Sequence, residues 1–432
     1  MVRYIERLLA FLRFVFKMIT PSYSATATER VLPRMALDFT TASLDGRVTV
    51  TRALNTATAI NSSGFVAVVN ANLPRFDYNA VTLACKGLLI EEARTNILTY
   101  SEQFDNAGWA KSNVTVSANN TTSPDGTLNA DKLVVTNAGT NANCNQSPSL
   151  TASTAYTETI YAKKSEWGWV ALEIRGESID AIQAWFNLNT GAIGTIVGAG
   201  TATITDAGNG WYRCSLTRTM GLTTTSPRVR VYPTNANALF STGDGTSGIF
   251  VWGAQLEAGA FATSYIPTTT LAVLRNTDAV SMTGTNFSSW YNQSEGAFSI
   301  EASVVIPTTG SQIPLAINDG TANNYLAPYI LNSIGRAYYK VVQGGATQAE
   351  FSPVVTLVSN TVFKYCFGYK INNFQIAANA VAGTPDTAGN VPTVTTMEIG
   401  NQFLSSQITG HVRKINYWPQ RLTNNEIQAF SK

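Results

Sequence analysis

The sequence predicts a mainly β protein: an N-terminal helix, a small β region, then two antiparallel β-sandwiches. Three observations carry this. Only 13% of the 432 residues are charged, about half the usual share of ~25%, and Thr, Asn, Ser, Ala and Gly fill the gap. Short runs of alternating apolar and polar residues recur between Asp-Gly, Asn-Gly and Pro-Asp-Gly turns. Strong helical spacing is confined to the first twenty residues. An apolar share of 44% is ample for buried cores and excludes a disordered chain.

The helix is predicted over residues 1–20, "MVRYIERLLAFLRFVFKMIT", where Ile5, Leu8, Leu12, Val15 and Ile19 form a 3–4 seam. Leu9, Phe11, Phe14, Phe16 and Met18 widen it until only Arg3, Glu6, Arg7, Arg13 and Lys17 remain as a polar stripe. A helix so apolar needs covering on most sides. Arg13 and Lys17 interrupt both a signal-peptide and a membrane-spanning reading. An in-plane membrane helix fits the basic stripe. Docking to protein, as an anchor on a partner or on sister chains, is the preferred reading. Thr20-Pro21 ends the helix.

Residues 21–95 carry short strand-like pieces and read as a small β collar or lead-in. From 96 to 268 the strands lengthen. Val170, Leu172 and Ile174 fall on one face of "SEWGWVALEIRGE", against Trp169, Ala171, Glu173 and Arg175 on the other. Phe186 and Leu188 oppose Trp185 and Asn187; Val229 and Val231 oppose Arg228, Arg230 and Tyr232. Strands so spaced, with no helical runs between them, read as a sandwich of jelly-roll type. A second sandwich occupies 269–432, with "AFSIEASVVIP", "VFKYCFGYKINNFQIAAN" and "HVRKINYWP" as clear strands. "LTNNEIQAF" closes it as a short helix with a Thr423–Glu426 capping box.

Formal net charge is +2, without a basic stripe beyond the N-terminus, which argues against nucleic-acid binding. Cys85, Cys144, Cys214 and Cys366 are scattered, with no zinc spacing, and read as free thiols. A single histidine, His411, leaves little for a triad or a His-ligated metal, and no cofactor is expected. Asp244, in "GDGTSG", is at most a weak calcium candidate, since Asp-Gly is turn chemistry. Glu91 and Glu92 follow an apolar run, but adjacent strand residues point to opposite faces. They cannot be the facing carboxylates of a glycosidase. Glu92 and Arg94 share a face and predict an ion pair at a domain junction. With no catalytic constellation, the chain is read as a non-enzyme.

The candidate binding surface is the polar face of the middle sandwich: Trp169, Glu173, Arg175, Trp185, Asn187, Arg228, Arg230 and Tyr232. Sugars present C–H faces to aromatic rings and hydroxyls to planar donors and acceptors, and these residue types supply both. The same composition also describes a subunit interface.

"ARTNILTYSEQFDNAGWAKSNVTVSAN", "PDGTLNADKL", "GNGWYRCS" and "DGTSGIFVWGAQLEAGAFATSYIPT" resemble a module of bacteriophage virion proteins, tail fibres and other appendages in particular. "PRFDYNAVTLACKGLLIEEARTN" resembles its lead-in, and the module is similar to carbohydrate-binding jelly rolls. The last 160 or so residues, closing on "GHVRKINYWPQRLTNNEIQAF", resemble a concanavalin-like (laminin-G-like) lectin sandwich. The resemblance implies a tail- or head-fibre component on the virion exterior, assembled in the bacterial cytoplasm. Its partners would be portal, capsid or tail proteins and the host surface polysaccharide, and it would form a homotrimer. A purely structural collar or decoration protein is the alternative, and a polysaccharide depolymerase a lesser one.

Overall fold

The structure is a computed structural model that describes residues 32–136, 141–177, 180–238, 242–403 and 406–432. The helix expected over 1–20, with Ile5, Leu8, Leu12, Val15 and Ile19, lies outside the described residues.

The chain is mainly β, and its antiparallel sheets form sandwiches. In the middle sandwich one six-stranded sheet runs Thr201–Asp206, Trp211–Thr219, Ala155–Lys164, Gly248–Ala258, Ala130–Val135, Val114–Thr121. The other runs Ala192–Val197, Asp180–Asn187, Trp169–Glu177, Arg228–Thr234, Asn143–Gln146, Ala110–Ser112. Between them lie Leu172, Ile174, Phe186, Val229 and Val231, with Ile160, Leu216 and Leu256 from the opposing sheet. The period of two puts these residues inside and their chain neighbours outside, as the alternation predicts.

The lead-in departs from expectation. It does not form a separate collar. Met35–Asp38 and Cys85–Ile90 both pair with the late strand Gly410–Trp418, and Thr49–Thr51 pairs with Ala279–Thr283. Met35, Leu37, Phe39, Val50, Leu88 and Ile90 share one core with Phe298, Ile300 and Tyr417. The physical reason is size: strands of three to six residues cannot bury a core alone, so they complete the sheets of a larger one. The middle sandwich is therefore an insertion between early and late strands of the C-terminal sandwich. Its entry strand Arg94–Asn96 and exit strand Val273–Arg275 pair antiparallel at the junction.

The hairpin Ala57–Ile60/Val66–Val69 leaves the C-terminal sandwich and packs on the middle one, where Val66 meets Tyr161, Trp211, Trp252 and Tyr265. The chain ends on the helix Asn424–Phe430, capped by the predicted box: Thr423 Oγ1 accepts from Glu426 N (3.3 Å) and Glu426 Oε2 accepts from Thr423 N (2.7 Å). All four cysteines carry free thiols.

Candidate functional site

The outer face of the Trp169-bearing sheet is built from cross-strand rows. Trp169 lies opposite Asn187 and Thr234; Ala171 opposite Trp185 and Tyr232; Glu173 opposite Gln183 and Arg230; Arg175 opposite Ala181 and Arg228. The face thus grades from an aromatic end to a cationic end. Asn145 extends the third row beyond Arg230. Gln183, Asn143 and Asn145 were not among the residues predicted from sequence. The alternation of "NCNQ" about buried Cys144 is the signal that places both asparagines on this face.

Glu173 is the hub, 2% exposed. Its Oε1 accepts from Arg230 Nη1 (2.7 Å), and its Oε2 from Tyr232 Oη (2.9 Å) and Gln183 Nε2 (2.5 Å). Arg230 Nη1 also donates to Tyr232 Oη (3.1 Å). Burial, and then the charge of Glu173, push the Tyr232 phenol well above its ordinary range. These bonds correct the sequence reading. Glu173 and Tyr232 are buried and bonded to their neighbours. Trp185 is buried by packing against Tyr232 and Trp169, its indole Nε1 without a partner among the described residues, so the three form a platform beneath the open residues. Alternation tells inside from outside, but large side chains in adjacent rows cover one another. Trp169, Arg175, Asn187, Arg228 and Arg230 keep part of their surface open.

Trp169 lies close against the edge strand of its sheet. A Cβ at Gly194, on the edge strand Ala192–Val197, would come within 2.7 Å of Trp169 Cζ3, so only glycine lets that strand lie against the ring. Asn237 closes the same corner. It accepts from Thr195 N (3.0 Å) and donates to Thr195 Oγ1 (2.8 Å).

A second feature is a cleft of about 470 Å3 where the lead-in, the middle sandwich and the C-terminal sandwich meet. His411 Nε2 lies 2.8 Å from Asp77 Oδ2, Lys86 pairs with the same carboxylate, and Asp77 Oδ1 accepts from Ile60 N (2.8 Å). Burial alone would raise the Asp77 carboxyl, but His411 and Lys86 outweigh it and hold it at about 2. His411 is therefore a strand residue tied across the junction. On the far wall Arg213 lies over the Tyr161 ring at 5.5 Å and donates to Thr159 Oγ1 (3.2 Å).

Behind this cleft a buried charge cluster fixes the junction. Glu91 accepts from Arg75 Nη1 (2.7 Å), Ser264 N (2.7 Å) and Ser264 Oγ (2.6 Å), and pairs with Arg275 at 2.8 Å. Asp278 accepts from Arg52 Nη1 (2.8 Å) and Glu91 N (3.0 Å), and pairs with Arg75. Burial works against the Glu91 carboxylate, yet Arg275 and Arg75 hold its carboxyl well below the usual range. Glu92 and Arg94 form the predicted pair on the opposite face. The two glutamates belong to a structural joint.

Asp244 is committed to its own turn. It accepts from Thr246 N (2.8 Å), Ser247 N (2.6 Å) and Ser247 Oγ (2.6 Å). Donors crowd the oxygens that a cation would need, and among the described residues no cluster of metal-ligating side chains occurs.

No family model and no curated protein matches the chain. Solved structures show limited likeness. "Ruminococcus gnavus IT-sialidase CBM40 bound to alpha2,6 sialyllactose" is 13% identical, over 33% of this chain and 85% of that one, at a TM-score of 0.29. Domain 4 of AbnA, an extracellular arabinanase from Geobacillus stearothermophilus in complex with arabinotriose, is 8% identical, over 40% and 82%, at 0.31. A botulinum neurotoxin type C structure, titled for interaction with two ganglioside molecules, is 11% identical, over 36% and 39%, at 0.28.

Proposed function

We propose that the chain is a glycan-binding component of a bacteriophage appendage, and that it binds without cutting. The sequence segments that resemble phage virion modules support the appendage reading. In that reading the N-terminal segment attaches to portal, capsid or tail proteins, the chain assembles as a homotrimer, and the sandwiches meet bacterial surface polysaccharide. One structural observation carries the binding part. A half-open Trp169 and the open donors of Asn187, Arg175, Arg228 and Arg230 stand on a rigid platform of buried Trp185, Tyr232 and Glu173. A rigid support keeps contact groups ordered before a ligand arrives, which lowers the entropy cost of binding. Multivalency in an oligomer turns weak sugar contacts into firm attachment.

The test is binding of the purified chain to bacterial cells and their extracted polysaccharides, with a reducing-end assay on the same samples. Trp169→Ala should abolish binding while leaving the oligomer intact. New reducing ends would replace a binding module with a depolymerase. A structural role, as collar or decoration, is favoured by one observation: the edge strand of the same sheet exposes Ile193, Ile196 and Val197. Under that reading substitutions on this sheet dissociate the oligomer and no polysaccharide binds.

A further inference from the structure

We infer that the ligand of this sheet face is acidic: a carboxylate-bearing oligosaccharide whose anionic group sits between Arg175 and Arg228. The inference rests on the glycan-binding reading and narrows its ligand class. Register sets Arg175 directly opposite Arg228, with Arg230 in the next row. Like charges directly opposite across a sheet repel. Only the charge of Glu173, one row away, offsets this at Arg175. Among the described residues Arg175 and Arg228 form neither a hydrogen bond nor an ion pair, and the buried Nε of each has no acceptor. Glu173 pairs directly with Arg230, and its other oxygen is taken by Tyr232 and Gln183, so it reaches Arg175 only through space. At the hairpin end, Asp180 is committed to Arg218 and Glu177 to Thr223. Burial first, then the charges of Arg230 and Arg228, weaken the hold of Arg175 on its proton, and the opposing charge of Glu173 does not outweigh them.

Two guanidiniums side by side with no carboxylate bonded to either are an unfinished arrangement that an anion completes. The planar guanidinium fork matches the two oxygens of a carboxylate. Geometry also sets the length. Trp169 and Arg175 share a face six residues apart on one strand, roughly 20 Å at ~3.3 Å per residue. A ligand that touches both the ring and the arginines is an oligosaccharide.

The test is calorimetric titration of the full chain with uronic-acid polysaccharides (polygalacturonate, alginate and hyaluronate), with neutral dextran, dextran sulfate and single-stranded DNA alongside. The expected result is saturable binding to a uronic-acid polymer, weakened at least about tenfold by Arg175→Ala with Arg228→Ala, in line with the strength of charge-assisted hydrogen bonds. The ligand-free double variant should melt at the same temperature as the parent or higher, because it removes repulsion. That readout separates a lost contact from a lost fold. Binding only to dextran sulfate, or equally to single-stranded DNA, would overturn the carboxylate assignment. Neutral dextran binding that Trp169→Ala abolishes and the arginine variants leave unchanged would sink the acidic ligand and keep the glycan reading. No binding to any saccharide would remove both.

Discussion

Glu91→Gln tests whether the buried charge cluster joins the insertion to its host sandwich. Glu91 is 3% exposed, and Arg75, Arg275, Arg52 and Asp278 are each exposed by 2% or less. Neutralising Glu91 leaves three buried guanidiniums facing Asp278 alone within the cluster. Breaking a buried pair from one side costs about 3–5 kcal/mol, because the remaining charge stays out of water. At ~2–4 °C per kcal/mol for a unit of 150–250 residues, the unfolding transition should fall by roughly 6–20 °C. Calorimetry of the full chain reads it, with Glu92→Gln as an internal control. Glu92 is one residue along, its side chain 40% exposed, and a surface pair is worth only ~0–1 kcal/mol. The sign with pH is also set. The Glu91 carboxyl is depressed in the fold, so its stabilisation is fully present above the unfolded value of 4.5 and declines as pH falls below it. The parent should therefore lose stability in acid faster than Glu91→Gln. A shift under about 2 °C, or equal shifts for Glu91→Gln and Glu92→Gln, would refute the joint.

Three further outcomes follow from other buried groups. Glu158 faces the middle core between Leu216 and Leu256, its Oε2 has no partner, and burial raises its carboxyl well above 4.5. Its penalty is absent below pH 4.5 and grows as pH rises, so Glu158→Met should stabilise the protein at pH 7 by about 1–3 kcal/mol, read by denaturant unfolding. Loss of stability in that variant would mean that Glu158 has a structural partner. Asp77→Asn should cost about 1.5–3 kcal/mol at neutral pH through the lost charge-assisted bonds to His411 and Lys86. The parent should lose that contribution between pH 3.8 and about 2, while the variant shows no such step.

Much of the site was legible in the sequence because the period of a strand is local. Val170, Leu172 and Ile174 against Trp169, Glu173 and Arg175 needs only the backbone's two-residue repeat, and the structure keeps every one of those faces. The Thr423–Glu426 box and the Glu92–Arg94 pair are likewise contacts between near neighbours in sequence. What alternation cannot supply is who stands beside whom across strands. Burial of Trp185 and Tyr232 comes from lateral crowding between rows, and the confrontation of Arg175 with Arg228 comes from register between strands about fifty residues apart, held by a shared core.

The largest departure, the lead-in, has the same origin. Met35–Asp38 and Cys85–Ile90 read as a small independent unit because their strand propensity is local, whereas their partner strand Gly410–Trp418 lies at the other end of the chain. By itself the sequence determined the β character, the inward and outward faces and the helix cap, since each depends on residues a few positions apart. The tertiary structure alone decided that the middle sandwich is an insertion, that Glu91 meets Arg75, Arg275 and Asp278, and that two arginines face each other unpaired. Each of those depends on long-range pairing, whose free energy arises only when a common core is buried.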